Sequence, residues 1–203
     1  VSLPPSTPQR FVVPARPAAG VDTATPVIAA GRFDHDAREA EDTYAHLVYR
    51  VADGDDTHAR ALGAVLRDAL ATNLDLATID RIVLVPTHDG ATSPAMRAVA
   101  DQLGPPHRQA IERRHPTAPN KTIADDDQRW ANVADTVAAT TAVPGEAILL
   151  VDDILGSGAS MATAAAALRA AGATRVQAAV LGVRVPSPFE LTPVDDGSSQ
   201  RTN

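Results

Sequence analysis

Apolar and polar positions along the chain follow two periods, and the switches between them outline the elements. Asp36 to Val51 and Thr57 to Leu70 read as helices. In the second, Ala61, Leu62, Val65, Leu66 and Leu70 fall on one face at helical spacing. Arg81 to Pro86 (RIVLVP) is a short apolar run stopped by proline, the pattern of a strand buried on both faces of a parallel sheet. Ser93 to Leu103 reads as a helix with Ser93 as its cap, Pro94 at its first position and Gly104 at its end. Gln109 to Glu112 is a further strand candidate, and Asp125 to Thr141 reads as a helix.

The strongest unit comes last. Ala147 to Val151 (AILLV) is a buried strand, followed by a turn. A helix runs from Ala159 to Ala171, closed by Gly172, and Arg175 to Val183 (RVQAAVLGV) is the next strand. A strand–helix–strand unit implies a parallel sheet with a right-handed crossover. The expected fold class is therefore α/β, a Rossmann-like parallel sheet flanked by helices. Ligands in such sheets bind beyond the C-terminal strand ends, here Pro86 to Gly90 and Asp152 to Ser160. Val1 to Gly31, rich in Pro, Ala and Thr, reads as an extended or partly disordered lead with a short strand at Thr25 to Ala29. Thr192 to Asn203 reads as a flexible tail, leaving 32–191 as the expected domain.

Composition narrows the chemistry. The 203 residues carry 18 basic and 25 acidic side chains, net −7, against the basic surface that non-specific nucleic-acid binding needs. An aromatic content of 3% also argues against a base-stacking platform. A small anion is not excluded, because backbone N–H groups can bind phosphate inside an acidic protein. The absence of cysteine removes disulfides, zinc–thiolate sites and a cysteine nucleophile. No apolar run approaches bilayer-spanning length, and Val1 to Gly20 shows no signal pattern, so the cytoplasm is the default expectation.

Chemistry concentrates in Asp152 to Ser160, D-D-I-L-G-S-G-A-S. Two carboxylates sit at the mouth of a buried strand, and Gly156 and Gly158 let a ligand approach the backbone closely. Ser157 and Ser160 add hydroxyls, and a helix N-terminus follows, where exposed N–H groups and the helix dipole favour an anion. Acids that accept from hydroxyls, next to a phosphate receptor, point to a sugar phosphate. The bland alternative is an ordinary strand–loop–helix turn.

The segment VDDILGSGAS resembles the phosphoribosyl-pyrophosphate signature of type I phosphoribosyltransferases, V-D-D-x-x-T-T-G-x-T. Asp152 and Asp153 match its acidic pair and Gly158 its glycine. Ser157 and Ser160 stand for two threonines, and Gly156 replaces the remaining one with loss of a hydroxyl. The similarity continues to Ala170-Ala171-Gly172-Ala173, and QRWANV (Gln128 to Val133) ahead of the signature is similar to the ComF-like branch linked to DNA uptake. The zinc module frequent in that branch has no cysteines here to build it.

The resemblance implies a type I phosphoribosyltransferase fold with a small variable hood drawn from Val1 to Ala52 and Pro186 to Pro193. It implies Mg²⁺ as cofactor, phosphoribosyl pyrophosphate and a small-molecule acceptor as partners, and leaves room for a homodimer. The phosphoribosyl ligand would lie on Asp152, Asp153, Leu155, Gly156, Ser157, Gly158, Ala159 and Ser160. Thr87, His88 and Asp89, running on to Gly90, occupy the place of the pyrophosphate loop; otherwise they form a polar turn before a capped helix. Glu112 to Ala124 is the mobile-loop candidate, with Arg113, Arg114 and Lys121, the only lysine, as cations for departing pyrophosphate. The expected catalytic set is thus Asp152, Asp153, Arg113 and Lys121. Asp125, Asp126 and Asp127 read as a helix cap in preference to a metal site, and Trp130 as a packing residue. A non-catalytic binding module of the same fold is the second reading. A phospho-receiver ranks third, because it needs a lysine on a later strand and none follows Asp153.

Overall fold

The structure, a computed structural model, describes residues 8–34, 43–119 and 122–185. In chain order the elements are β1 (Gln9–Val13), β2 (Thr25–Asp34), α1 (Tyr44–Ala52), α2 (Ala59–Ala71), β3 (Arg81–Leu84), α3 (Pro94–Ala100), β4 (Ile111–Arg113), α4 (Asp126–Val133), β5 (Val137–Ala139), β6 (Ala147–Leu155), α5 (Ala159–Ala170) and β7 (Arg175–Val185). The main sheet has the order β1-β2-β7-β6-β3. Its last four strands are parallel, and β1 joins β2 antiparallel at one edge. The chain has the α/β architecture its alternation implies.

Strands buried on both faces need two apolar layers to cover them, and the helices supply these. Ile148 and Leu150 of β6 pack with Met161 and Leu168 of α5 and with Trp130 of α4. Leu149 and Val151 face the other way, onto Val48, Leu66 and Val99 of α1, α2 and α3. Each such side chain, fully removed from water, contributes about 1.5–3 kcal/mol. The strand that carries the acidic pair is thereby gripped from both sides. Gly182 of β7 shows how tight one layer is: a Cβ there would overlap the Phe33 ring of β2. No helix among the described residues is long and apolar enough to cross a membrane.

Four expectations are corrected. The segment read as an extended lead holds two strands of the main sheet, one of which, at Thr25 to Ala29, is the short strand the sequence predicts. Gln9–Val13 and Thr25–Asp34 are sheet strands, and β2 pairs with β7 from Val27↔Ala178 to Asp34↔Val185. Proline-rich flanks conceal β1 and the extension of β2 from Ala29 to Asp34, because both depend on pairing that no local pattern announces. The helix expected over Asp125 to Thr141 stops at Val133. Asp135 adopts φ 54, a left-handed conformation that reverses the chain. The Thr136 hydroxyl then donates to the Val133 carbonyl (2.8 Å), and Val137–Ala139 pairs with β4. The strand read as Ala147 to Val151 continues to Leu155, so the acidic pair lies in the strand and not in a turn after it. Finally, the loop read over Glu112 to Ala124 loses its first two residues to β4. Residues 35–42, with the first part of the helix read from Asp36, lie outside the described residues, as do Lys121 and 186–203.

Elsewhere reading and structure agree closely. Ser93 accepts from the Met96 N–H (3.4 Å) with Pro94 starting α3, and Gly172 takes φ 104 after α5.

Candidate phosphoribosyl site

The C-terminal ends of β3 and β6 lie side by side, and this juxtaposition builds the site. Leu84 pairs with Val151, and the Val85 N–H donates to the Val151 carbonyl (3.0 Å). Pro86 to Gly90 and Asp152 to Ser160 are therefore brought together at one end of the sheet, as their sequence positions imply.

Asp152 and Asp153 are half-buried. Asp152 accepts from the Asp153 N–H (3.0 Å) and Asp153 from the Ile154 N–H, so each acid fastens the next peptide. Burial, then the neighbouring Asp153 charge, pushes Asp152 well above the usual carboxylate range, and Arg113 opposes this. Burial also raises Asp153; the Ile154 N–H pulls it down, and Asp53, the C-cap of α1, adds to the rise. Two acids held close in a partly dry strand mouth are costly unless donors arrive to satisfy them.

The loop that follows leads into the N-terminus of α5. Gly158 caps α5 at φ 75, ψ −6, a left-handed conformation suited to glycine. Ser157, only 7% exposed, turns its hydroxyl inward to the Ala159 N–H (3.4 Å). Ser160 is half-exposed in the first turn of α5, while Leu155 and Ala159 are buried. Gly156 has open space where a Cβ would stand.

Thr87 to Ala91 forms a closed turn. The Thr87 N–H donates to the Ala91 carbonyl (3.0 Å) and the Gly90 N–H to the Thr87 carbonyl (3.0 Å). The Asp89 carboxylate accepts from the Thr87 hydroxyl and from the Ala91 N–H (3.1 Å), which hold it below the usual carboxylate range. His88 lies in the same turn, its carbonyl accepting from the Thr117 N–H (2.9 Å).

Arg113 sits elsewhere than a mobile loop. It is 8% exposed, in β4, and its guanidinium donates to the Thr87 carbonyl (2.9 Å), the Pro86 carbonyl (3.2 Å) and the Thr136 hydroxyl (2.8 Å). Burial lowers its pKa while the Asp152 charge raises it. Arg113 thus clamps the Pro86–Thr87 backbone to the β4–β5 ribbon. Arg114 is exposed beside it. Asp125 caps α4 by accepting from the Gln128 N–H (2.8 Å), and Trp130 is buried with the Arg16 guanidinium 4.9 Å from its ring centre. Sequence reading missed Asp53, Val13 and Thr136 as neighbours of the site. Each reaches it through long-range packing that no local pattern announces.

Among the described residues no three His, Asp or Glu side chains gather into a metal cage. The acidic pair offers hard oxygen donors, which fits an ion carried largely by phosphate oxygens.

Paired acids, a glycine loop and a helix N-terminus thus meet at one end of the parallel sheet of an α/β domain. A family model for the phosphoribosyl transferase domain matches residues 57–187, and the chain belongs to this family, the type I phosphoribosyltransferases. None of the curated proteins matches it. Among solved structures it is similar to the glutamine phosphoribosylpyrophosphate amidotransferase of B. subtilis complexed with ADP and GMP, 21% identical, covering 62% of this chain and 26% of that one, with a TM-score of 0.43. It is also similar to a hypoxanthine phosphoribosyltransferase from Staphylococcus aureus, 10% identical, covering 66% and 77%, TM-score 0.41. A protein from Thermus thermophilus is 19% identical over 64% of this chain and 85% of its own, TM-score 0.37. The chain thus spans about a quarter of the amidotransferase's length. The family assignment rests on the family match.

Proposed function

We propose that this protein binds phosphoribosyl pyrophosphate with Mg²⁺ and transfers ribose 5-phosphate to a nitrogen nucleophile, releasing pyrophosphate. The observation that carries this reading is the acidic pair held at the mouth of β6, directly ahead of a left-handed glycine cap on α5. The carboxylates of Asp152 and Asp153 accept from the ribose hydroxyls. Main-chain N–H groups from Leu155 to Ser160, with the Ser160 hydroxyl, receive the 5′-phosphate. Mg²⁺, when bound, would neutralise charge on the pyrophosphate, with Asp152 and Asp153 as the residues to hold it. The bond from the anomeric carbon to pyrophosphate breaks, a carbon–nitrogen bond forms, and the nitrogen's proton leaves to solvent. Positive charge developing on the sugar is stabilised by the ionised acids nearby. Arg114 and Lys121 are the cations assigned to the departing pyrophosphate, and closure of their loop excludes water.

Incubating the protein with phosphoribosyl pyrophosphate, Mg²⁺ and purines, pyrimidines or ammonia, and measuring pyrophosphate release, tests the reaction. Release that depends on one acceptor class is the expected result.

A second reading, a phosphoribosyl-pyrophosphate-binding regulator akin to the ComF-like branch, is favoured by two features. Gly156 stands where the signature has a hydroxyl, and the Thr87 to Ala91 turn spends the N–H groups of Thr87, Gly90 and Ala91 internally. Ligand binding without pyrophosphate release under any acceptor would select it. The open space at Gly156 yields a further expectation. Gly156→Thr folds as the parent does and tightens ligand binding about two- to tenfold in a calorimetric titration, one added hydrogen bond contributing about 0.5–1.5 kcal/mol. Weaker binding would mean that this position does not face the phosphate.

A further inference from the structure

The family match begins at residue 57, yet the N-terminal strand reaches the phosphate loop. Val13, the last residue of β1, is 1% exposed. A Cβ built on Gly158 would stand 2.8 and 3.0 Å from the two Val13 methyl carbons. The valine therefore closes directly onto the bare face of the glycine that caps α5. Phe11 and Val13 share one apolar cluster with Leu155, Ala159, Met161 and Ala162, the residues flanking the loop and opening the helix.

The segment that carries Val13 is itself anchored. Three residues on, Arg16 donates to the Asp127 carboxylate (2.9 Å) and lies over the Trp130 ring of α4. Arg16 and Val21 also form a short antiparallel bridge. At the other end of α5, Arg169 donates to the Thr25 hydroxyl (3.1 Å) and the Ala24 carbonyl (3.3 Å), just where β2 begins. Val13 is thus a fixed wall and not a side chain free to retreat.

We infer that Val13 is a positioning residue for the phosphate loop: its methyl groups back the left-handed Gly158 and so fix the direction of the N–H groups at the start of α5. The inference rests on the phosphoribosyl reading of this site and adds to it a residue from outside the family-matched span. A loop N–H group binds phosphate well only when its direction is set in advance, so loosening the wall lowers affinity without removing a single ligand contact.

Ribose 5-phosphate is the probe, because it engages the loop without pyrophosphate. Val13→Ala removes both methyl carbons and should weaken ribose 5-phosphate binding at least fivefold, within the range that indirect changes reach. Val13→Thr keeps the shape while burying a hydroxyl; it should lower the melting temperature yet bind within about twofold of the parent. Leu70→Ala, in the opposite apolar layer on α2, should lower the melting temperature and leave affinity unchanged. All are titrated well below their melting temperatures. If Val13→Ala binds as the parent does, or if affinity follows melting temperature across the three variants, the inference is overturned and the site reading stands. If the parent protein itself fails to bind ribose 5-phosphate, both fall together.

Discussion

Replacing Asp152 and Asp153 together with asparagine is expected to weaken phosphoribosyl pyrophosphate binding at least tenfold while making the folded protein more stable. Asparagine preserves volume, and its carbonyl oxygen can still accept from the Asp153 and Ile154 N–H groups, so the strand mouth keeps its local bonds. What is lost is charge: hydrogen bonds to ionised acceptors contribute about 1.5–3 kcal/mol each, and about 1.4 kcal/mol already corresponds to tenfold. The gain in stability comes from the same source. Both carboxyls hold their protons more tightly in the folded chain than in the unfolded one, where aspartates titrate near 3.8. Ionisation at neutral pH therefore opposes folding. Relieving about 1 kcal/mol of that opposition raises the melting temperature by roughly 2–4 °C for a chain of this size. The sign can be checked by pH. As pH falls through the raised folded values, the parent recovers its penalty, and the variant's advantage shrinks until it vanishes below the unfolded value. Thermal melts of both proteins from pH 7 to pH 3, with titrations at pH 7, measure this. A destabilised variant with unchanged affinity would make the acids scaffolding.

Arg113→Ala is expected to lower stability strongly. The buried guanidinium donates to the Pro86 and Thr87 carbonyls and the Thr136 hydroxyl; truncation removes all three charge-assisted bonds, although the Thr87 carbonyl keeps the Gly90 N–H and the Thr136 hydroxyl keeps the Val133 carbonyl. Hydrogen bonds from a charged donor contribute about 1.5–3 kcal/mol each, so a loss of about 3 kcal/mol follows from the set, near 6–12 °C in melting temperature. Arg113→Lys should restore little, because one ammonium cannot reproduce a planar fork aimed at acceptors in two separate loops. A leaving-group role predicts the opposite pattern: lysine would restore turnover, and the melting temperature would barely move. Differential scanning calorimetry of the two variants beside the parent separates these outcomes.

The strand–helix–strand unit from Ala147 onward was legible because its signals are local. AILLV is apolar throughout, Gly158 and Gly172 punctuate the helix, and the acids and hydroxyls that define the site lie within nine residues. Pro86 to Gly90 lies at the C-terminal end of β3, where the apolar run RIVLVP puts it. What escaped reading depends on partners distant in sequence. β1 is a strand because β2 lies beside it, and β2 runs past the Thr25 to Ala29 strand read from the sequence because β7 pairs with it as far as Asp34. Arg113, in a proline-rich basic stretch, looks like a loop cation. Only the packing of β4 against β5 turns it inward onto the β3 end. The end of α4 at Val133 was hidden for a different reason: the following run of Ala, Asp, Thr and Val fits a helix by composition, yet Ala134 leaves the helix at ψ 135 and Asp135 is left-handed.

The central claim is that the mouth of β6 and the cap of α5 form a receptor for phosphoribosyl pyrophosphate. Isothermal titration of the protein with phosphoribosyl pyrophosphate in the presence of Mg²⁺ tests it most directly. The account predicts saturable binding at one site per chain, with a dissociation constant below about 1 mM, equivalent to at least about 4.1 kcal/mol of binding free energy. Absence of binding with the ligand at millimolar concentration, in a protein shown to be folded, would contradict it.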